Sequence, residues 1–332
     1  MDISVIVPIY GVERYIERCL RSLFTQSKTN GVEFVLVNDC TQDRSFEVAK
    51  AIVGEYSELN VVLVDKKCNE GLAKARLTGV ESSSGDYIIH IDSDDWCERT
   101  MLEDLWAEVQ ESHSDIIICD FHIDSHRGHE YVSAELSQDN FECVNIMMKS
   151  AILGSVWNKL FKRQLYVKAN FSLNERINMW EDMLLCSALF CYAEKISYLP
   201  MAYLHYVRGG GHCITYNIGM KTFKEMLRVV VIVEQFFKER NLYAKISRSL
   251  LIRKAELKFM ILEYYSDKRN RLAGWQDHLI LYPELKVQIL HLNEVSMSKR
   301  VCLYLTNIGR GELFYFVNSV RRFVIKILSS LK

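Results

Sequence analysis

Through about its first 120 residues, the chain alternates short apolar runs with longer amphipathic stretches. An unbroken apolar run rich in β-branched residues is typical of a strand buried on both faces of a parallel sheet, whereas apolar positions three or four apart indicate a helix. The predicted strands are residues 3–7, 34–37, 61–64, 87–91 and 116–119, and the predicted helices are 16–23, 46–53, 71–81 and 102–109. The pattern predicts an α/β fold with a Rossmann-like, mostly parallel sheet flanked by helices.

Composition and charge exclude several classes of protein. The 41 Lys and Arg and 42 Asp and Glu leave a formal charge of -1, so we expect no nucleic-acid partner. The 10 cysteines include no C-x-x-C pair and are expected to be reduced. Neither a signal-peptide pattern nor an apolar stretch of about 20 residues is present. This predicts a cytoplasmic protein, either free in the cytoplasm or attached to the inner face of the membrane.

Polar and acidic residues stand where the predicted strands end. Tyr10 follows the first strand, Asp39 follows the second, and the acidic segment 92–95 follows the fourth. In sheets of this kind, ligands bind beyond the carboxyl ends of the strands. A dinucleotide-binding or P-loop protein would carry a glycine-rich motif after the first strand, and neither motif is present.

Asp92 and Asp94 are one residue apart, so in an extended segment both side chains project to the same side. Hard divalent cations take oxygen ligands and combine carboxylates with substrate phosphate oxygens. The pair therefore predicts a Mn²⁺ or Mg²⁺ site that neutralises a diphosphate leaving group. The alternative is a solvated acidic turn that caps the next helix.

Four motifs occur in order along this half of the chain. They are VIVPIY at 5–10, VLVNDCTQD at 35–43, NEGLAKAR at 69–76 and DSDDW at 92–96. Together they resemble the family 2 glycosyltransferases, over about the first 210 residues. The resemblance implies a GT-A fold and an inverting, metal-dependent, hexosyltransferase-type enzyme with the D-x-D motif at Asp92 and Asp94. The chain departs from the family pattern at two positions: Cys40 stands where the family usually has Gly, and Leu77 stands where it often has Asn.

The resemblance also implies a site for a nucleotide-sugar donor. Pro8 and Tyr10 would form a wall beside the nucleotide, and Asp39 would accept a hydrogen bond from the base. An ionised carboxylate only accepts, so it suits the imide N–H of uracil and predicts a UDP-sugar. The predicted donor-binding residues are Pro8, Tyr10, Asp39, Arg76, Asp92, Ser93 and Arg208.

The second part of the resemblance concerns the acceptor. Inverting transfer by single displacement needs one base to take the proton of the acceptor hydroxyl, and Asp182 is the predicted catalytic base. The predicted acceptor-binding residues are Trp157, Lys159, Trp180 and Glu181. The alternatives are acids that only complement a helix dipole and tryptophans that belong to the core.

A basic, glycine-containing loop follows at residues 208–215. Loops of this kind can fold over a donor diphosphate, with Arg208 meeting its negative charge. His212 is a candidate third metal ligand beside Asp92 and Asp94, and the alternative is an ordinary surface histidine.

From about Asn217 onward, the apolar positions recur at helical spacing. We therefore predict a GT-A catalytic domain at 1–215, with a nucleotide-binding half at 1–112 and an acceptor half at 113–215, followed by a helical region at 216–332. Near the end, an apolar stripe lies opposite Arg321, Arg322 and Lys326, which suits either peripheral membrane contact or docking on the protein. The stripe consists of Leu313, Val317, Val320, Val324 and Ile327.

The expected partners are a UDP-sugar donor and a glycan or lipid-linked glycan acceptor in surface polysaccharide biosynthesis, and a homo-oligomer is compatible with the sequence. One alternative is a catalytically idle nucleotide- or glycan-binding module, which would be expected to lose the metal carboxylates or Asp182. Another is a sugar nucleotidyltransferase, which would carry a basic glycine-rich loop where residues 10–13 read Tyr-Gly-Val-Glu.

Overall fold

The computed structural model describes residues 1–126, 128–150, 152–170, 176–209, 219–267, 281–310, 313–314 and 317–322. The chain forms two compact units, Met1–Asn217 and Ile218–Lys332. Within the described ranges, no helix is both long enough and apolar enough to span a membrane.

The first unit alternates strands and helices as the sequence predicts. Its strands are β1 (Ile3–Ile9), β2 (Val32–Asn38), β3 (Asn60–Asp65), β4 (Tyr87–His90), β5 (Trp96–Cys97), β6 (Ile116–Ser125), β7 (Gly128–Val132), β8 (Lys159–Lys162) and β9 (Ile196–Val207). Its helices are α1 (Ile16–Phe24), α2 (Ser45–Glu55), α3 (Leu72–Glu81), α4 (Met101–Ser112), α5 (Asn140–Lys149), α6 (Arg163–Ala169) and α7 (Glu181–Phe190), with a 3-10 turn at Ile152–Gly154. All five predicted strands and all four predicted helices of the first half are confirmed.

One sheet connects these strands in the order β3-β2-β1-β4-β8-β6-β9-β5. The remaining strand, β7, pairs with the carboxyl-terminal half of β6. The strands β3, β2, β1 and β4 are mutually parallel, β8 is antiparallel to both β4 and β6, and β9 is parallel to β6. The α/β class and the mostly parallel sheet are confirmed. The insertion of β8 between β4 and β6 could not be read from the sequence order.

The central strands are continuous apolar runs because both faces of the sheet are covered. Every residue of β1 and of β2 is buried. On α3, Gly79 lets the helix approach β1 closely, since a Cβ at this position would lie 2.3 Å from Cγ2 of Ile6. A helix that packs this tightly on the sheet has little freedom to shift, so the side chains that it carries are held in place.

The second unit is helical, as predicted. Its helices are α8 (Met220–Glu239), α9 (Tyr243–Asp267), α10 (Leu285–Gln288) and α11 (Met297–Asn307), with a 3-10 turn at Ile289–His291. Buried side chains of α9, α10 and α11 form a common core, which contains Ala255, Phe259, Leu262, Leu285, Cys302 and Leu303.

The structure describes three of the five residues of the predicted apolar stripe near the end of the chain, and these three do not share one environment. Val317 packs against the core of this unit, whereas Leu313 is 44% and Val320 is 48% exposed. Arg322 Nε lies 3.2 Å from a carboxylate oxygen of Glu263, and Arg321 pairs with the same carboxylate. Val324, Lys326 and Ile327 lie outside the described residues. Membrane contact of this segment stays a prediction.

Candidate active site

The predicted donor residues meet at one edge of the sheet. The adjacent parallel strands β2, β1 and β4 end at Asn38, Ile9 and His90, so the segments that follow them are brought side by side. Pro8 is buried within β1, and the Tyr10 ring that follows is 49% exposed. An exposed aromatic ring beside a row of acidic loops is suited to contact a flat ligand.

Asp39 is buried, and three donors surround its carboxylate. Its carboxylate accepts from Lys66 Nζ at 2.7 Å, from the amide of Glu70 at 3.0 Å and from the amide of Gly71 at 2.8 Å. Gly71 has a φ of +93°, a backbone conformation that favours glycine. A carboxylate offers about four lone-pair sites. Three of them are used here, which leaves capacity for one more donor.

Cys40 adopts a φ of 58°, in the left-handed region. An L-residue with a Cβ is disfavoured there by about 1–2 kcal/mol. This conformation explains why glycine suits the position after Asp39, where this chain has Cys40.

Arg76 is the centre of the site. The residue is 1% exposed, and its guanidinium bonds Asp92 Oδ1 at 2.6 Å through one terminal nitrogen and Glu181 Oε1 at 2.9 Å through the other. The second nitrogen also donates to Asp182 Oδ1. One guanidinium therefore joins the acidic loop after β4 to the first turn of α7, which lies about 90 residues further along the chain.

The loop at residues 92–95 concentrates negative charge. Burial, and then the charge of Asp92, raises the pKa of Asp94 to about 6. Burial, followed by the charges of Asp94 and Asp92, raises the pKa of Asp95 well above its ordinary value. Asp95 Oδ1 accepts from the amide of Val207 at 2.9 Å, which ties the loop to the end of β9.

These residues fit a hard divalent cation. Burial and the neighbouring carboxylates raise the pKa values of Asp94 and Asp95, and a bound cation would favour the charged form of these groups. Arg76 engages one oxygen of Asp92, whose side chain is 23% exposed, so the second oxygen can serve as a ligand together with Asp94. This all-oxygen set suits Mn²⁺ or Mg²⁺.

Glu181 and Asp182 begin α7, and both are held close to Arg76. Burial raises the pKa of each carboxyl group, the neighbouring Asp182 adds to the effect on Glu181, and Arg76 opposes it for both. The amide of Val156 also donates to Asp182 Oδ2 at 3.4 Å. A carboxylate with a raised pKa is a stronger proton acceptor than an ordinary one, which suits Asp182 to act as a general base.

The structure places Trp157 and Lys159 in the core, which does not support the predicted acceptor contacts. Trp157 is 4% exposed and packs edge-on against Phe121. Lys159 is fully buried, and its ammonium donates to the carbonyls of Leu153 at 3.0 Å and Ser155 at 2.6 Å. Hydrogen bonds to backbone carbonyls compensate the charge of this lysine, so we assign it a structural role.

Of the other predicted residues, Trp180 and Glu181 lie at the start of α7, and Ser93 is buried in the acidic loop. Trp180 has a φ of 63°, which turns the chain sharply into the helix. The Arg208 guanidinium lies over the Tyr206 ring at 5.5 Å from its centroid. His212, with residues 210–218, lies outside the described residues, so its predicted metal role stays a prediction.

Sequence reasoning missed two cationic residues of the site. Lys66 pairs with Asp39 and follows β3 directly, so its position after a parallel strand was a usable signal. Arg18 on α1 donates to the backbone carbonyl of Asp94 at 3.0 Å. Nothing in the local sequence distinguishes Arg18 from an ordinary surface residue of an amphipathic helix.

The mostly parallel sheet, with polar and acidic loops at the carboxyl ends of adjacent strands, is the arrangement that the sequence predicts for a GT-A fold. Residues 4–169, half of the 332-residue chain, match the Glycosyl transferase family 2 model. The chain belongs to glycosyltransferase family 2.

Several proteins resemble this chain. It is 34% identical over 224 residues to the glycosyltransferase GlyA of Streptococcus pneumoniae, covering 63% of this chain and 31% of GlyA. It is 32% identical over 204 residues to the uncharacterized glycosyltransferase EpsJ of Bacillus subtilis, covering 59% of this chain and 58% of EpsJ. The match therefore spans less than two thirds of either relative.

A solved structure extends the likeness to nearly the whole chain. The crystal structure of Staphylococcus aureus TarS 1–349 in complex with UDP-GlcNAc has a TM-score of 0.70 at 23% identity. The match covers 97% of this chain and 92% of that one. This likeness confirms the GT-A fold.

Proposed function

We propose that the protein is an inverting glycosyltransferase that moves a sugar from a UDP-sugar to a glycan or lipid-linked glycan in surface polysaccharide biosynthesis. The observation that carries the proposal is the Arg76 guanidinium, which pairs with both Asp92, the proposed metal ligand, and Asp182, the proposed base. These two carboxylates are distant in sequence and lie on either side of one side chain, as a group-transfer site requires.

The hydrogen-bonding pattern of Asp39 supports uridine as the base of the donor. Asp39 has room for one further hydrogen bond, and the imide N–H of uracil can donate it. The exposed Tyr10 ring provides an adjacent flat surface. TarS, which shares the fold, has been crystallised with UDP-GlcNAc and with UDP.

Asp92 and Asp94 would hold Mn²⁺ or Mg²⁺ against the donor diphosphate. When bound, the cation neutralises the charge that develops on the leaving diphosphate. Arg208, close to the same edge, would add a further positive charge.

Asp182 would act as the base. Its carboxylate takes the proton of the acceptor hydroxyl while that oxygen bonds to the anomeric carbon from the side opposite the diphosphate. The bond from the anomeric carbon to the diphosphate oxygen breaks, and the electron pair leaves with UDP. Arg76 keeps the pKa of Asp182 from rising further, and Glu181 orients one of the sugars.

The test is a panel of UDP- and GDP-sugars assayed for nucleoside diphosphate release with Mn²⁺, with Mg²⁺ and with a chelator. We expect turnover of a UDP-sugar that the chelator abolishes and that Asp94→Asn reduces to background with the fold intact by circular dichroism. Turnover of GDP-sugars alone would contradict the role of Asp39. Full activity of Asp94→Asn would contradict the metal site, and tight UDP-sugar binding with no release would favour the idle binding module.

A further inference from the structure

Beside the proposed donor site, three histidines and one aspartate lie on one face of the sheet. Asp124 on β6 is the cross-strand partner of His129 on β7, and His122 on β6 is the partner of His205 on β9. Alternate residues of a strand share a face, so all four side chains project to the same side.

The distances within this group are short. Nδ1 of His129 lies 2.6 Å from Asp124 Oδ1, and Nδ1 of His205 lies 3.1 Å from each Asp124 carboxylate oxygen. The three ligand atoms of Asp124, His129 and His205 all lie within 4.8 Å of one another.

A second carboxylate fixes the ring of His205. Nε2 of His205 lies 3.0 Å from Glu98 Oε1, and the ring stacks on Trp96 with centroids 3.6 Å apart. A neutral imidazole donates from only one of its two nitrogens, so when Nε2–H donates to Glu98, Nδ1 faces the Asp124 carboxylate with its lone pair. Two carboxylates that face one imidazole favour a positive charge at this place, supplied either by a second ring proton or by a metal ion bound between Nδ1 and Asp124. A carboxylate on the outer nitrogen is the usual partner of a metal-binding histidine.

We propose that Asp124, His129 and His205 bind a zinc ion. Two imidazole nitrogens and one carboxylate suit Zn²⁺, in contrast to the all-oxygen pair Asp92 and Asp94. Zinc–ligand bonds of about 2.0–2.2 Å place tetrahedral ligand atoms about 3.3 Å apart. The spacing of His205 and Asp124 is already close to this value. The His129 side chain is 71% exposed, so it can adjust its position to complete the set of ligands.

The ion would hold together the strand ends that carry the donor site. Trp96, which directly follows the acidic loop, donates from Nε1 to Asp124 Oδ2 at 3.1 Å. The amide of Arg208 donates to the Asp124 carbonyl at 2.7 Å. Three protein ligands leave a fourth position for water. Because the site joins three strands of the folded sheet, zinc should also raise the unfolding temperature of the chain.

The experiment titrates the chelator-treated full chain with Zn²⁺ against a chromophoric chelator, in an Asp94→Asn background that weakens the donor metal site. The background protein is compared with the same protein carrying His129→Gln, His126→Gln or Glu98→Gln. His126 lies in the exposed turn of the same hairpin outside the cluster, so it is the matched control. His129 is exposed, so its replacement leaves the fold intact, which circular dichroism verifies.

We expect one Zn²⁺ per chain in the background protein and in His126→Gln. Loss of a residue that bonds a metal ligand typically weakens metal affinity about 10–100-fold, so Glu98→Gln should weaken zinc binding by that factor. His129→Gln removes a direct ligand and should weaken zinc binding by at least about 100-fold. No zinc binding by the background protein, or equal affinity in His129→Gln, would overturn the site. Unchanged affinity in Glu98→Gln would overturn the orienting role of Glu98. None of these results depends on sugar transfer.

Discussion

Replacing Arg76 by glutamine perturbs the group that holds the candidate site together. In the native protein, its guanidinium is buried and compensates three carboxylates, on Asp92, Glu181 and Asp182. Glutamine keeps part of the length and the polarity of the side chain and removes the charge. We therefore expect Arg76→Gln to lower both the free energy of unfolding and the activity.

The magnitude follows from burial. Removing one partner of a buried ion pair costs about 3–5 kcal/mol, because the remaining charge is left without compensation. The side chains of Asp92 and Asp182 are 23% and 20% exposed, and that of Glu181 is 9% exposed. Water can therefore offset part of the loss, which places the expected destabilisation near 3 kcal/mol at pH 8.

The loss should depend on pH. Burial already raises the native pKa values of Glu181 and Asp182, and removing Arg76 raises them further. For these two residues, the pKa in the unfolded chain is about 4, and the native pKa is higher. Each carboxyl group therefore lowers the free energy of unfolding as the pH rises from the unfolded pKa through the native pKa. The destabilisation by Arg76→Gln should therefore be largest at pH 8 and should shrink toward pH 5, where a larger fraction of the Glu181 and Asp182 carboxyl groups is protonated.

The assay is urea unfolding of the wild type, Arg76→Gln and Arg76→Lys at pH 5 and pH 8, with donor turnover measured in parallel. Arg76→Lys keeps the charge but lacks the planar fork, so it should be intermediate in stability. Because a shift of about 1 Å in a reacting group can cost about 100-fold, turnover of Arg76→Gln should fall at least that far. Equal stability of Arg76→Gln and the wild type at pH 8, or a loss that is the same at both pH values, would refute the reasoning.

Three further outcomes are expected. Asp182→Asn should lower kcat for transfer by about 10²–10⁴-fold with little change in donor KM, and steady-state kinetics with an unchanged kcat would exclude it as the base. Burial would raise the pKa of Glu33, but hydrogen bonds from Ser4 and the Ser84 and Gly85 amides outweigh it and lower the pKa. The stabilisation by the ionised Glu33 is present above its unfolded pKa of about 4.3 and is lost as the pH falls through the lower native pKa. Glu33→Gln should therefore lower the free energy of unfolding by about 1–3 kcal/mol at pH 7 and by less in acid. Cys40→Gly should raise the free energy of unfolding by up to about 1 kcal/mol by relieving its positive φ, and a loss of thermal stability would contradict this.

The elements and the motifs of the first half could be predicted because their causes are local. A buried strand needs a continuous apolar run, as in β1, and a helix on the sheet needs apolar residues three or four apart, as in α1. Parallel strands also present their carboxyl ends at one edge, so the grouping of Tyr10, Asp39 and Asp92 could be anticipated. Trp157 and Lys159 could not be assigned this way, because an aromatic or a lysine in a motif looks the same whether it faces a ligand or the core.

The sequence by itself determined the α/β alternation, the acidic loop after β4 and the family. The first two depend on residues that are close together in the chain, and the family depends on four short motifs that occur in a fixed order. Only the tertiary structure decided that Arg76 compensates Asp92, Glu181 and Asp182 at once, and that Asp124, His129 and His205 converge across three strands. The physical reason is that the charge and pKa of a carboxylate depend on neighbours that the fold brings within a few ångströms, and chain order does not reveal them.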